Sequence, residues 1–383
     1  MRHSIPSTRP SGASGLPLPG VNENLQTGEP DRVTPALSVY LDALRLLAAL
    51  MVFAHHASYP IFGGRWISAL GGYGHEAVVV FFVLSGFVIA FVTDAKERTP
   101  RAYAASRLSR LWSVALPALA ATLAMDAIGK WLAPQAYADV LNNPLGPLAS
   151  ALFVNEFWTA QWHVGSNIPF WSLSYEAAYY LLFGIFVFAP MRWLWLAAAA
   201  ALIGPKILLL APAWIAGVIA YRAAQRIRSA TVDALLAVLG AALAFGLSVS
   251  KVGNLYMTWR WQKWLGDPVF EAMGHASAFL SDNLIAFALA AHLVGLAGLL
   301  RHVPAQPTLH RLIAKASIAT FPIYLFHYPA LYFFSALSFT LFGEPVGVFI
   351  GLSSLALSVA VTPLCESLRA LLRPRIGVRA NNR

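Results

Sequence analysis

Arg45 and His56, eleven residues apart in LDALRLLAALMVFAHH, are the first residues whose types and spacing carry chemistry. On a helix, eleven residues turn about 1100°, within about 20° of the same face, and rise about 16 Å. A guanidinium low on a stripe and an imidazole high on it suit anion binding and proton transfer. The plainer alternative has Arg45 snorkelling to an interface and pairing with Asp42, and His56 capped at the opposite interface. Glu176, in WSLSYE, follows Trp171 by five residues and lies about 7 Å inside the boundary that the tryptophan marks. That depth matches His56, so Glu176 is the expected partner of the imidazole, orienting it and raising its basicity as a general base. A structural pair with another polar group is the alternative.

Arg107 and Arg110 stand at i, i+3, and so point the same way at the start of a predicted third helix. Arginine forks suit bidentate phosphate binding, and lipid headgroups would satisfy them equally well. Ser85–Gly86 falls mid-depth in the second apolar run, where small residues let helices approach. The surroundings of Ser85 are not G-x-S-x-G, so a serine nucleophile is a poor reading. Tyr324 and His327, also i, i+3, face together in FPIYLFHYPALYFF, as an active-site wall or as a structural hydrogen bond. Asp126 and His292 lie in apolar runs without a constellation around them and read as structural. There is no H-E-x-x-H, G-x-x-x-x-G-K-[ST] or C-x-x-C, and the histidines have no metal-ligand spacing. The one cysteine, Cys365, excludes an internal disulfide and reads as a small buried hydrophobe.

The elements that must position these groups are set by composition. Of 383 residues, 58% are hydrophobic and 11% charged, against about 25% charged in soluble domains. This excludes an ordinary soluble enzyme and a disordered chain. Charges inside such a chain cost about 2.5–3.5 kcal/mol each on insertion scales, which is why each deserves a partner or a purpose. The net charge of +10 points to Lys and Arg held on the cytoplasmic side and not to nucleic acid. Ten apolar segments are predicted to span: 38–58, 74–93, 111–131, 171–189, 192–204, 206–221, 230–249, 283–300, 316–338 and 346–368. The fifth and sixth are short and separated by Gly204–Pro205, as one broken helix or two tilted ones. Prolines 117, 322 and 363 predict kinks. With ten spans and both termini cytoplasmic, the basic residues collect in the inner segments. The long segments 132–170 and 250–282 then face outward, with the Trp and Tyr of interfacial chain. Residues 1–36, rich in Pro, Gly and Ser, have no signal-peptide core and read as a disordered tail; 372–383 read as a basic tail. No internal repeat is visible.

Together, R-x10-H at 45–56, FFVLSGF at 81–87, R-x-x-R at 107–110, WSLSYE at 171–176 and PIYLFHYP at 322–329 resemble the membrane acyltransferase 3 family, bacterial O-acyltransferases of surface and secreted glycans. The resemblance spans about 37–371, which would be the transmembrane acyltransferase domain. It implies an all-α, ten-helix polytopic bundle in the bacterial inner membrane, moving an acyl group, usually acetyl from acetyl-CoA, to a sugar hydroxyl. It assigns catalysis to Arg45, His56 and Glu176, and donor binding to Arg107, Arg110 and Arg45. Ser85, Trp171, Tyr324 and His327 become substrate-binding candidates. The implied partners are acyl-CoA, a carbohydrate acceptor and membrane lipids, with no metal and no nucleic acid. Where the family commonly has proline after R-x-x-R-[IL]-[WY], Ser113 stands here. Longer members append an esterase-like domain after the bundle; this sequence shows none, so transfer is expected within the membrane or with a partner. A glycolipid transporter or flippase, which would usually carry repeats, and a non-catalytic scaffold are the other classes.

Overall fold

Long apolar runs in lipid must satisfy their own backbone groups, and helices do so without a closed barrel. The structure, a computed structural model, describes residues 33–375 apart from 142, 228, 251–257 and 305, and of 374 and 375 the backbone alone. Among the described residues there are helices and no strand. The first helices are α1 (Pro35–Ala57), α2 (Gly74–Ala95), α3 (Pro100–Leu132), the short α4 (Gly146–Ala151) and α5 (Trp171–Phe188). Next come α6 (Arg192–Ile203), α7 (Pro205–Ala224), α8 (Ala230–Ser250), α9 (Thr258–Leu265), α10 (Asp267–Met273) and α11 (Phe279–Leu299). The chain closes with α12 (Pro307–Ile318), α13 (Thr320–Phe342), α14 (Gly347–Ala360) and α15 (Thr362–Arg375). Nine helical stretches in the described residues are long and apolar enough to cross a membrane. The chain is therefore an all-α polytopic membrane bundle.

Several boundaries differ from the sequence reading, each for a local reason. The third helix begins at Pro100, well before 111, because Thr99 caps it: the side chain accepts from the N–H of Ala102 and proline takes the first helical position. At 33 residues it is about 50 Å long, beyond the roughly 30 Å of a hydrocarbon core. The doubtful pair 192–204 and 206–221 is two helices. Gly204 at φ +89° breaks the chain, and its missing Cβ leaves room for Trp158, whose backbone would otherwise lie 2.7 Å away. α6 has 12 residues, about 18 Å of rise, and does not itself reach across a bilayer. Pro117 lies in the interior of its helix, α3. Pro322 and Pro363 do not: they sit in the first turns of α13 and α15, where the missing N–H is no loss.

The expected tail over 1–36 lies outside the described residues up to 32, and α1 begins within its remainder. The expected basic tail from 372 is helical to Arg375, and 376–383 lie outside the described residues, as do 251–257 of the second long loop. Part of the first long loop packs deep into the bundle. Asn155, Glu156, Val164, Ser166 and Asn167 are each at most 1% exposed. Glu156 receives the ammonium of Lys206 at 2.5 Å, and Asp126 accepts from both the N–H and the hydroxyl of Ser166, at 2.8 and 2.6 Å. Loop backbone this deep must find partners, and the side chains of α3 and α7 supply them. His292 bridges Tyr40 and the carbonyl of Ala237, both at 2.7 Å, a structural role in the join of α1, α8 and α11. Cys365 is buried.

α2 and α7 touch through glycine. A Cβ on Gly86 would lie 2.0 Å from the carbonyl oxygen of Trp214, and one on Gly217 would lie 2.0 Å from that of Val83. Such close backbone approach is how helices gain dispersion contact in lipid. It also brings Trp214 Nε1 within 3.2 Å of Ser85 Oγ. Gly217→Leu is expected to lower stability by about 1–3 kcal/mol through overpacking and to break that hydrogen bond. A thermal melt in detergent checks it; an unchanged midpoint would mean the helices separate freely.

Candidate active site

Glu176 sits in the second turn of α5, on the face turned toward α2 and α3, where aromatic and small residues alternate in WSLSYEAAYY. Beside it is a small cavity of about 50 Å³ lined by Arg45 of α1, Ser85 of α2, Arg110 of α3, Ser172 and Glu176 of α5 and Tyr324 of α13. Val78, Phe81, Phe82, Leu173, Thr320 and Phe321 complete the wall. Five helices thus deliver two guanidiniums, one carboxylate and four hydroxyls to one largely apolar enclosure. Interactions between charges strengthen in such surroundings because little water screens them.

Glu176 Oε1 accepts from Ser85 Oγ at 3.0 Å and, in a short hydrogen bond, from Tyr180 OH one turn along. Its expected partnership with His56 is not formed. Glu176 faces the arginine side of the bundle, and its hydrogen bonds go to α2 and its own helix. Ser85 is more than a packing residue: it contacts Glu176, Tyr180 OH at 3.3 Å and Trp214 Nε1. Tyr324 OH meets Ser172 Oγ at 2.7 Å and the carbonyl of Pro169 at 3.2 Å.

The two arginines of α3 part company. Arg110 lines the cavity, and Arg45 is its neighbour across it. Arg107 turns away, is 5% exposed and donates to Glu97 at 2.5 Å. Its guanidinium lies 5.5 Å from the Tyr103 ring centroid and 5.9 Å from that of Tyr180. Both arginines lie two to three turns inside α3, not at its start. Three residues on a helix differ by about 300°, a divergence of only about 60°, and within it Glu97 and the Tyr103 and Tyr180 rings engage Arg107 while Arg110 reaches the cavity. Arg45 meets Asp42 at 3.4 Å, the i, i+3 pair foreseen as an alternative, but at that length the bond is weak and the side chain still faces the cavity.

His56 finds another partner. Its Nδ1 lies 2.9 Å from Nε2 of His327, with the rings stacked at 5.1 Å, and His327 Nδ1 lies 2.9 Å from the carbonyl of Ile323. Tyr328 packs on His56 at 4.5 Å and Tyr59 at 5.6 Å. His327 is fully buried, whereas His56 is only partly so. Tyr324, one turn before His327 and 6.3 Å from it between ring centroids, links the cavity to the histidine pair. Trp171 does not face the cavity. It stacks on His275 at 4.3 Å and meets Tyr175 edge-on at 5.0 Å, so its ring is occupied.

Glu97, Ser172, Tyr180 and Trp214 were not among the residues singled out from sequence. Tyr180 had a signal, standing at i+4 from Glu176, and Glu97 another, as the acid in the basic stretch KER. Trp214 had none. Among the described residues, no group of three or more His, Cys, Asp or Glu is arranged to hold a metal ion.

A profile of the acyltransferase 3 family, described as an acyltransferase domain, matches residues 38–363. The chain belongs to that family. It is a multi-pass membrane acyltransferase, and the matched span runs from α1 into the first turn of α15, so every residue of the cavity and of the histidine pair lies in the acyltransferase domain. No curated protein and no solved structure matches the chain.

Proposed function

We propose that the protein moves an acetyl group from acetyl-CoA to a hydroxyl of a carbohydrate in a bacterial inner membrane, with the donor entering from the cytoplasm and the acceptor from outside. The observation that carries this reading is the joining of two chemistries in one bundle. A cavity with two arginines suits an anionic donor, and it ends at Tyr324, one helical turn from buried His327, the partner of partly accessible His56. Arg110 and Arg45 hold the phosphates and the start of the pantetheine chain. The thioester reaches His56. The acceptor O–H bond breaks as its proton passes to His56, the oxygen bonds the carbonyl carbon, and the C–S bond breaks. The leaving sulfur takes the proton from His56, releasing free CoA thiol and an O-acyl sugar. Glu176 balances the two guanidiniums and holds Ser85 and Tyr180 in place. The rings of Tyr59 and Tyr328 beside His56 offer faces to a sugar, and lipids cover the outer surfaces of the bundle.

Two experiments test this. Intact surface glycans from cells with and without the protein are compared by mass; one added acyl increment, in the protein-containing cells only, is expected. Transport of a glycolipid with no acylated product would instead favour a flippase. Kinetics in vesicles then separate the arginines. Arg110→Ala is expected to raise KM for acetyl-CoA about 10–100-fold, the loss of one charged hydrogen bond. Arg107→Ala is expected to leave KM nearly unchanged and to lower kcat and stability, because it uncovers Tyr180 and leaves Glu97 buried without its partner. The reverse ordering would return Arg107 to the donor site.

A further inference from the structure

We propose that His327 is a positioning residue that fixes the tautomer of His56, and so selects Nε2 of His56 as the atom that takes the acceptor's proton. This rests on the proposed role of His56 as base. The argument is a chain of hydrogen bonds with one allowed direction. The carbonyl oxygen of Ile323 can only accept, so the His327 Nδ1 that lies 2.9 Å from it carries a hydrogen. A neutral imidazole has one N–H, so His327 Nε2 is a lone pair. His56 Nδ1, 2.9 Å away, must therefore donate to it. A neutral His56 with hydrogen on Nδ1 presents a bare Nε2.

The surroundings keep this arrangement. His327 is fully buried within α13, packed between Phe53 of α1 at 6.3 Å and Tyr324 at 6.3 Å, and its Nδ1 is held by the carbonyl of Ile323. His56 Nε2 makes no hydrogen bond to the described residues, and the rings of Tyr59 and Tyr328 pack beside the imidazole. A carboxylate in the place of His327 would hold His56 as an imidazolium more strongly. A neutral imidazole holds the geometry without a second buried charge, which the apolar surroundings would penalise. When His56 takes the proton, its Nδ1–H stays on His327 Nε2, and the bond strengthens because the donor is then charged. The proton returned to the leaving sulfur departs from the same Nε2, so His327 ends the cycle unchanged.

The test uses the full-length protein in lipid vesicles. His327→Phe keeps a ring but removes the acceptor; His327→Gln keeps an acceptor for His56 and a donor for Ile323. The phenylalanine variant is expected to lose about 100-fold in kcat with KM for acetyl-CoA unchanged, and the glutamine variant to recover to within about 10-fold of wild type. Nitrogen NMR on histidine-labelled protein, with the His56 signal identified by its loss in His56→Ala, is expected to show hydrogen on Nδ1 in wild type and on Nε2 in His327→Phe. A His327→Phe enzyme within about threefold of wild-type kcat, or a wild-type His56 protonated at Nε2, overturns the proposal. An active His56→Ala enzyme would instead remove the base itself, so the two failures are told apart.

Discussion

His56→Ala is expected to lower kcat about 10²–10⁴-fold, the usual contribution of a positioned general base, while the protein reaches the membrane at its normal level. Truncating a partly accessible side chain costs little packing. The loss should therefore appear in chemistry and not in abundance, which acyl transfer from labelled acetyl-CoA in matched vesicles measures. No nearby group can stand in. Glu176, the one carboxylate lining the cavity, is engaged by Ser85 and Tyr180. His55 hydrogen-bonds Tyr59 at 2.9 Å and the carbonyl of Gly71. His327 has its free lone pair turned toward the position that alanine would vacate, but it is buried behind it. KM for the donor should stay near wild type because Arg45 and Arg110 lie in the separate cavity. An enzyme that keeps its kcat without His56 would place proton transfer elsewhere.

Lys206→Ala is expected to be the most damaging change outside the site, at about 3–5 kcal/mol, the cost of leaving one member of a buried ion pair alone. Lys206 is 2% exposed and Glu156 0%. Lys206 Nζ donates to Glu156 Oε2 and to the carbonyl of Ala160, tying the first long loop to the start of α7. Burial pushes the Glu156 carboxyl up to about 7 against the lowering effect of Lys206. Without the lysine it would be protonated at neutral pH, which places the cost at the lower end of that range. The double variant Lys206→Met, Glu156→Leu is expected to recover most of the stability, since two apolar groups need no partners. Melting midpoints of the purified proteins check both; a single variant as stable as wild type would show that water reaches the pair.

Much of the frame was readable because membrane constraints are local. A charge-poor run of about 20 residues must be a helix, and α1, α2, α5, α8 and α11 follow the predicted spans closely. Where the reading slipped, side-chain capping or proline chemistry decided the boundary, as at Thr99 for α3 and at Pro322 and Pro363 for α13 and α15. The first long loop read as interfacial chain because aromatic content does not reveal a fold-back into the bundle. Glu156 and Asp126 decided it through partners far away in sequence.

Fold class and family were legible in the sequence alone, and it singled out Arg45, His56, Arg107, Arg110 and Glu176 as candidates for the chemistry. These follow from types and spacings within single helices, because burying a charge or an imidazole in lipid is costly enough to mark it. Tertiary structure alone decided who partners whom. Depth along a helix placed His56 and Glu176 level with each other, but rotation about the helix axes and the packing of α13 against α1 gave His56 to His327. The same rotation divided Arg107 from Arg110, one to Glu97 and the tyrosines, the other to the cavity. Pairing such as that of His56 with His327 depends on which faces meet across helices hundreds of residues apart, and no local pattern encodes it.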